Sequence, residues 1–332
     1  MDSILVIRYS ALGDVVLATS VLEPLRERFP SARIEWVTSP AYAPLLEGLP
    51  GLAAVHRLTG TGIRGATDLA RSLRGRFDLA IDLQNKVKSA VVARAAAAHR
   101  IGFRRRTPAR AALSLFGFDP PQNGPHATEL YAKALRPLGV KGPGRMQIHL
   151  SEAARASAAR ALAGAGRPRV ALSPGASQAT KRWAPDRFAE VAGALARAGA
   201  SVVLAGGPSD GAALEGFRRA CRVPLSADLT ALGVDSLAAA LADVDLLVAC
   251  DSGPVHLASA VGTRVLAIFG PTSARRWGPA PPGRALSLPL PCAPCSNHGG
   301  RRCPQGHHRC MVDLASGAVA EAALGMLAPR PP

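Results

Sequence analysis

The sequence is poor in several features that would point to particular classes of protein. Aromatic residues make up 4% of its 332 residues, and basic stretches without interleaved aromatics do not favour a nucleic-acid-binding surface. No uncharged apolar run of about 18 residues or more is present, so no segment is predicted to span a bilayer. The first twenty residues lack a basic leader and a small-residue cleavage site, which argues against a signal peptide. We therefore expect a cytoplasmic protein with no nucleic-acid partner.

Acidic residues are also scarce. The sequence has 23 Asp and Glu against 40 Lys and Arg, which gives a formal net charge of +17. A charge of this size favours an anionic partner, such as a nucleic acid, an anionic membrane surface or a phosphorylated substrate. Because no RNA- or DNA-binding signature is present, a lipid or a sugar phosphate is the favoured partner. The alternative is that the charge only aids solubility.

The order of apolar runs predicts two α/β halves. Ile4–Arg8 and Arg33–Val37 are short β-rich runs, and between them a glycine-containing loop leads into a helical stretch. This order is typical of a doubly wound parallel sheet. The glycine patterns of dinucleotide-binding and P-loop proteins are missing, so neither NAD nor nucleoside triphosphate chemistry is favoured. A second series begins near Val170, and we expect one domain at 1–160 and another at 168–332.

One stretch of the second half combines a buried strand, a glycine turn and a helix start. Asp245–Cys250 is an apolar run suited to a parallel strand, and Asp251–Gly253 forms the turn after it. Pro254 takes the first helical position, where a missing N–H costs little. A glycine turn that leads into a helix N-terminus is an anion site, although an ordinary βαβ unit has the same pattern.

This stretch resembles the C-terminal signature of glycosyltransferase family 9, the ADP-heptose:lipopolysaccharide heptosyltransferases and their relatives. The motifs that carry the resemblance, in chain order, are Ser10–Val16, Asp82–Ser89, His126–Leu130, Pro174–Trp183, Asp251–Leu257, Phe269–Thr272 and Trp277–Pro279. The resemblance covers most of the chain, from Ile4 to about Met311. It implies a GT-B fold, with two Rossmann-like domains facing across a cleft, the first for the acceptor and the second for the nucleotide sugar.

The resemblance also implies a reaction and its partners. The protein is expected to be an inverting glycosyltransferase that moves heptose from ADP-heptose onto an anionic lipopolysaccharide-core acceptor. It is also expected to associate peripherally with the inner membrane. No cofactor is expected for catalysis, because a lysine and backbone N–H groups would hold the diphosphate without Mg²⁺. The alternatives are a GT-B enzyme for another nucleotide sugar, either a UDP- or GDP-dependent transferase or an epimerase, and a non-enzymatic protein that binds an anionic polymer.

The family motifs assign roles in the acceptor half. Asp14 corresponds to the general base, whereas its local pattern alone favours a helix N-cap. Lys88 corresponds to a lysine that contacts the acidic acceptor, and without the resemblance it is a solvated lysine at a helix start. Asn85 replaces the glycine of that motif, and Leu130 stands where the family usually has arginine.

The motifs of the donor half surround a diphosphate. By resemblance, Lys181 holds the leaving diphosphate and has a catalytic role, since lysine is a compact point charge suited to phosphate. Without the resemblance, Lys181 is an exposed lysine before a helix, and an apolar loop residue such as Leu232 is a packing residue. Residues expected to contribute to donor binding are Ser10, Gly13, Ser177, Asp210, Leu232, Asp251, Ser252, Gly253 and His256.

Four of the six cysteines lie in a tail near the C-terminus. They are Cys292, Cys295, Cys303 and Cys310, with three histidines interleaved. A C-x₂-C pair followed by two more cysteines is typical of a tetrahedral zinc or iron site. Disulfides are less favoured in a reducing cytosol. We predict a structural zinc or iron site, remote from the chemistry because a four-cysteine site is closed to substrate.

Overall fold

The protein consists of two compact α/β units. The computed structural model describes residues 1–60, 62–102 and 124–327, and its main division lies between His149 and Leu150. The predicted boundary came after the helix Glu152–Ala161, but this helix belongs to the second unit, where it packs against the helix Val234–Ala242. The Ala-rich sequence of Glu152–Ala161 predicted a helix, but it did not predict which helix packs against it.

The first unit contains a five-stranded parallel sheet in the order β3-β2-β1-β4-β5. Its strands are β1 (Ser3–Ile7), β2 (Arg33–Thr38), β3 (Ala54–Arg57), β4 (Phe77–Asp82) and β5 (Ala97–Gly102). Four of the five residues of β1 are buried, as expected of a central parallel strand with neighbours on both sides. The strand order reverses between β1 and β4, so the loops that follow these two strands lie at the switch point of the sheet.

Five α-helices are described for this unit: α1 (Leu12–Ala18), α2 (Leu22–Arg28), α3 (Arg64–Ser72), α4 (Val87–Ala96) and α5 (Ala127–Ala134). The first begins at Leu12, before the start that an N-cap at Asp14 would give, so Ala11 is the N-cap and Asp14 is the third helical residue. The predicted N-cap position of Asp14 is therefore wrong. A 3₁₀ turn at Thr19–Val21 interrupts the helical stretch, because the Thr19 and Ser20 hydroxyls donate to carbonyls three residues back.

The second unit contains a six-stranded parallel sheet in the order β11-β10-β9-β6-β7-β8. Its strands are β6 (Arg169–Ser173), β7 (Ser201–Leu204), β8 (Ala227–Asp228), β9 (Leu246–Cys250), β10 (Arg264–Ile268) and β11 (Arg284–Leu286). Strand order reverses between β6 and β9, which places their following loops side by side. Ser173 pairs with Ala249, one residue before the end of β9.

The helices of the second unit are α6 (Glu152–Ala161), α7 (Pro185–Arg197), α8 (Gly211–Ala220), α9 (Val234–Ala242), α10 (Gly253–Ala260), α11 (Ala274–Trp277), α12 (Arg309–Val312) and α13 (Ser316–Leu327). Pro254 is the second residue of α10, one position after the predicted one, and still lies in the first turn, where a missing N–H costs little. Among the helices described in both units, none is long and apolar enough to cross a membrane.

Trp183 anchors the loop between β6 and α7 in the core of the second unit. The indole is fully buried, its N–H donates to the carbonyl of Leu314 at 3.2 Å, and its ring meets Phe188 edge-on with centroids 5.0 Å apart. The backbone N–H of Trp183 contacts the Sγ of Cys250 at 3.3 Å, at the end of β9. Aromatic packing of this kind fixes the chain that precedes it, which includes Lys181.

Candidate functional site

Asp14 lies at the switch point of the first sheet, where Arg8, Tyr131 and Ala11 contact its carboxylate. Arg8 Nη2 is 2.7 Å from Oδ1, and the Tyr131 hydroxyl donates to the same oxygen at 2.8 Å. The backbone N–H of Ala11 reaches Oδ2 at 3.4 Å. These contacts hold the carboxylate in one orientation. The side chain is 19% exposed, so part of it stays accessible.

Arg8 follows β1 and is largely buried. Burial alone would lower the pKa of its guanidinium, but the charges of Tyr131 and Asp14 and the hydrogen bond to Asp14 together raise it above its usual value. Its other terminal nitrogen donates to the carbonyl of Leu83, and its guanidinium lies 5.5 Å from the centre of the Tyr131 ring. Arg8 therefore stays charged and links the loops after β1 and β4.

Gln84 connects the same two loops. Its Oε1 accepts from the backbone N–H groups of Tyr9 and Ser10, at 3.1 and 3.2 Å, and its Nε2 lies 3.3 Å from the Ser10 hydroxyl. The side chain is 9% exposed. The predicted site residue Ser10 thus takes part in a hydrogen-bond network that shapes the loop before Asp14, and Gly13 lies in the first turn of α1 beside Asp14.

The segment after β4 turns sharply before α4. Asp82 accepts from the backbone N–H groups of Gln84 and Asn85, and its second oxygen accepts from the Ser89 hydroxyl at 2.9 Å. Asn85 has φ +52°, a left-handed conformation that Asn tolerates better than most residues, and this explains why it can replace glycine here. Lys88 is the second residue of α4, partly exposed, at the same edge of the sheet as Asp14.

Lys181 and Asp251 meet at the switch point of the second sheet. Lys181 Nζ lies 3.3 Å from Asp251 Oδ2, and the Thr272 hydroxyl donates to the same oxygen at 2.6 Å. The side chains of Lys181 and Asp251 are 11% and 7% exposed, so this ion pair is well shielded from water. Loops after β6, β9 and β10 thus converge on one carboxylate, which holds the Lys181 amine in place.

The N-terminus of α10 begins directly after Asp251. Ser252 is the N-cap, but its hydroxyl donates to the carbonyl of Cys250 at 3.0 Å and makes no cap hydrogen bond to the helix. Gly253 is the first helical residue, and His256 lies within the helix, 5% exposed. The positive end of the helix dipole and the Lys181 amine are therefore neighbours, an arrangement that attracts an anion.

Ser177 and Asp210 belong to two neighbouring loops of the second unit, after β6 and β7. Asp210 Oδ2 accepts from the backbone N–H of Gly207 at 3.0 Å, and a Cβ on Gly175 would lie 2.1 Å from Asp210 Cγ. Ser177 is exposed, two residues beyond this close approach. Leu232 is partly buried in the loop before α9, and its N–H donates to the carbonyl of Leu229 at 3.1 Å.

The structure adds four residues that the sequence analysis missed. Arg8, Gln84 and Tyr131 surround Asp14 or its loop, and Thr272 joins Asp251. Each had a weak signal: a charged residue at the end of an apolar strand, or a polar residue within or directly beside a family motif. None could be paired with its partner from spacing, because the partners are 6 to 117 positions away.

The cysteine tail brings four thiols near one another. Burial raises the pKa of Cys310 to about 11, with further contributions from Cys295, Cys303 and Cys292. Burial and the charges of Cys303 and Cys292 also raise the pKa of Cys295. All four cysteines are free thiols, and no group of three or more His, Cys, Asp or Glu within the described part of the chain is arranged to hold a metal ion. At the predicted metal site, the structure thus shows a cluster of thiols that are not arranged as metal ligands.

Comparison with known proteins identifies relatives of the sequence. The sequence model of glycosyltransferase family 9 (heptosyltransferase) matches residues 66–303. Lipopolysaccharide heptosyltransferase 3 of Escherichia coli K12 is 28% identical over 80% of this chain and 82% of its own. Lipopolysaccharide heptosyltransferase 1 of Pseudomonas aeruginosa is also 28% identical, over 94% of this chain and 91% of its own.

Solved structures share the fold. A family 9 glycosyl transferase from Veillonella parvula superposes with a TM-score of 0.81 at 22% identity, covering 98% of this chain and 97% of that one. Heptosyltransferase II of Escherichia coli gives a TM-score of 0.74 at 24% identity and 98% coverage of both chains. The Escherichia coli heptosyltransferase WaaC, solved with ADP, gives 0.66 at 20% identity, covering 98% of this chain and 99% of that one.

Proposed function

The chain belongs to glycosyltransferase family 9 and is a glycosyltransferase, and on that premise we propose that it transfers heptose from ADP-heptose onto a lipopolysaccharide-core acceptor. The curated relatives are named as lipopolysaccharide heptosyltransferases, and one solved relative was crystallised with ADP. The observation that carries the proposal is the Lys181–Asp251 pair at the switch point of the second sheet, beside the N-terminus of α10. This is where a doubly wound sheet binds a phosphorylated ligand.

In the proposed donor site, the diphosphate is held by positive charge and by backbone donors. Lys181 neutralises the charge that develops as the diphosphate leaves, and Ser177 and the N–H groups of Ser252 and Gly253 donate hydrogen bonds to it. Asp251 touches Lys181 and holds its amine in place. A site built in this way stabilises the leaving group without a catalytic Mg²⁺.

We propose that the remaining donor residues contact the nucleoside or the sugar, or support the loop at the start of α10. Asp210, which Gly207 orients, is suited to hydroxyl groups of the ribose or the sugar. Leu232 is proposed to contact the adenine, and the buried His256 to support the loop before α10. Ser10 and Gly13 are also proposed to contribute to donor binding.

Asp14 is proposed as the general base. Its carboxylate takes the proton of the acceptor hydroxyl while that oxygen attacks the anomeric carbon, through an oxocarbenium-like state and with inversion. Arg8 and the Tyr131 hydroxyl both contact Oδ1 of Asp14, so the carboxylate is held in a fixed orientation for this proton transfer.

The acceptor is proposed to be anionic and presented at the inner membrane surface, on the cytoplasmic side. Lys88 is the acceptor contact, and Lys86 and Lys88 flank Val87, which is 72% exposed. The formal charge of +17 supports attraction to phosphorylated core sugars and to anionic lipid. Binding to vesicles that contain anionic phospholipid should weaken as the salt concentration rises.

Calorimetric titration with ADP, UDP and GDP tests the donor. A clear preference for ADP supports ADP-heptose and directs the next assay to heptose-deficient core acceptors. A preference for UDP or GDP would keep the anion site but overturn the proposed sugar donor. Metal analysis of the same sample tests the sequence-based prediction of zinc or iron at Cys292, Cys295, Cys303 and Cys310: about one equivalent per chain would support it, and its absence would agree with the thiol cluster of the structure.

A further inference from the structure

The cysteine tail, defined as Cys292–Cys310, contacts the loop that carries Lys181. The backbone N–H and the hydroxyl of Thr180 both donate to the carbonyl of Gly300, at 3.1 and 3.0 Å, and the N–H of Gly300 donates back to the hydroxyl at 2.8 Å. Nε2 of His308 donates to the carbonyl of Thr180 at 2.7 Å. Four hydrogen bonds therefore join the tail to the residue before Lys181.

The tail also approaches the Lys181 side chain itself. A Cβ on Gly299 would lie 2.7 Å from Lys181 Cγ, and Gly299 has φ +81°. Only glycine allows both this backbone conformation and this close approach. The apolar stem of Lys181 thus packs between the tail and its own turn, while its amine reaches Asp251.

The same tail holds the loop after β10. The N–H groups of Cys295 and Ser296 both donate to the carbonyl of Pro271 at 2.9 Å, and the indole N–H of Trp277 donates to the carbonyl of Asn297 at 2.9 Å. Pro271 directly precedes Thr272, whose hydroxyl donates to Asp251. One segment therefore secures both loops that meet at the Asp251 carboxylate.

We propose that the tail Cys292–Cys310 is a positioning element of the donor site, which acts on Lys181 chiefly through the Thr180 hydroxyl. This inference rests on the proposed role of Lys181 in binding the donor diphosphate. The tail acts indirectly, because it fixes the positions of the Lys181 amine and the Thr272 hydroxyl. Loss of this support weakens donor binding more than it slows the chemical step.

A matched set of variants in the full-length protein tests the inference. Thr180→Val removes the hydroxyl of a side chain that is 4% exposed but keeps its shape, and the N–H of Gly300 loses its partner. Thr180→Ser keeps the hydroxyl. Thr263→Val is the control, because Thr263 is 7% exposed and its hydroxyl donates to Leu241 at the opposite edge of the same sheet. Melting temperatures report the general loss of stability in each.

We expect Thr180→Val to raise the Kd for ADP and the donor KM by about tenfold with a smaller change in kcat. Thr180→Ser should remain within about threefold of the parent, and Thr263→Val should lower the melting temperature without changing the Kd. Amide hydrogen exchange of the segment 179–183 should accelerate in Thr180→Val only. Equal Kd values for Thr180→Val and Thr263→Val, with unchanged exchange, would overturn the inference.

Lys181→Ala separates this inference from the proposed function. If Lys181→Ala weakens ADP binding but Thr180→Val does not, the proposed function stands and the positioning role of the tail is refuted. If Lys181→Ala leaves ADP binding unchanged, Lys181 does not hold the diphosphate, and the tail has no donor group to position there.

Discussion

The guanidinium of Arg8 lies 2.7 Å from the carboxylate of Asp14, and both side chains are largely shielded, at 11% and 19% exposure. Removing one partner of a shielded ion pair leaves the other charge uncompensated, and that can cost several kcal/mol of stability. Substitutions that keep the shape of the carboxylate are therefore the informative ones. Tyr131 and Ala11 also contact the carboxylate of Asp14, and Tyr131 does so from a helix 117 positions further along the chain.

Asp14→Asn should reduce kcat by about 100-fold or more, because the amide cannot take the proton of the acceptor hydroxyl. The Kd for ADP should stay within about twofold, since Asp14 belongs to the first unit and the proposed diphosphate site to the second. Steady-state kinetics and calorimetry measure the two quantities. Asp68→Asn, at an exposed pair with Arg71, is the control. Near-normal turnover of Asp14→Asn would rule out the base.

Tyr131→Phe should lower kcat by about tenfold without changing the donor KM. The variant loses the hydrogen bond to Asp14 Oδ1, and hydrogen bonds to charged groups contribute roughly 1.5–3 kcal/mol. The ring and its contact with Arg8 remain, so the variant should fold, with a melting temperature lowered by roughly a few degrees. Tyr42→Phe is a suitable control in the same unit. A kcat equal to that of the parent would mean that the hydroxyl does not orient the base.

Gly175→Ala should raise the donor KM, because its Cβ would lie 2.1 Å from Asp210 Cγ and would displace that carboxylate. We expect the donor KM to increase by about tenfold or more, which corresponds to the loss of about one hydrogen bond between Asp210 and the donor. Gly207→Ala is the matched control in the adjoining loop, where an added Cβ meets nothing within 4 Å. If both variants bind the donor alike, Asp210 has no part in donor recognition.

The native thiols should differ in their rates of alkylation. Burial raises the pKa of Cys250 to about 12 and that of Cys310 to about 11, so that at pH 7 only about one Cys310 thiol in ten thousand is ionised. Because the thiolate is the reactive form, labelling of Cys310 by iodoacetamide should rise about tenfold per pH unit between pH 7 and 10. Cys250 should be labelled only after denaturation.

Peptide mass spectrometry follows each cysteine separately. Fast labelling of Cys310 at pH 7 would contradict both its burial and the direction of its pKa. A sample loaded with metal should resist labelling at all four tail cysteines until a chelator is added, which distinguishes protection by an ion from protection by burial.

Much of the local structure was predictable. The predicted strand Arg33–Val37 is one residue longer in the structure, and Leu246–Cys250 begins one residue after its predicted start. Central parallel strands are buried on both faces and read as continuous apolar runs, which is why they stand out. The start of α1 was misplaced because Ala11 caps it without a side-chain hydrogen bond, whereas the prediction assigned that role to Asp14.

The sequence by itself determined the two α/β halves, the strand-end loops and the family, because apolar periodicity, glycine turns and linear motifs are local properties. Only the tertiary structure decided that Tyr131 reaches Asp14 across 117 positions and that the cysteine tail supports Lys181 through Thr180. Such pairings depend on strand order and on which loops share the switch point of a sheet. Contacts between distant segments form when the sheets assemble, and no pattern within either segment specifies its partner.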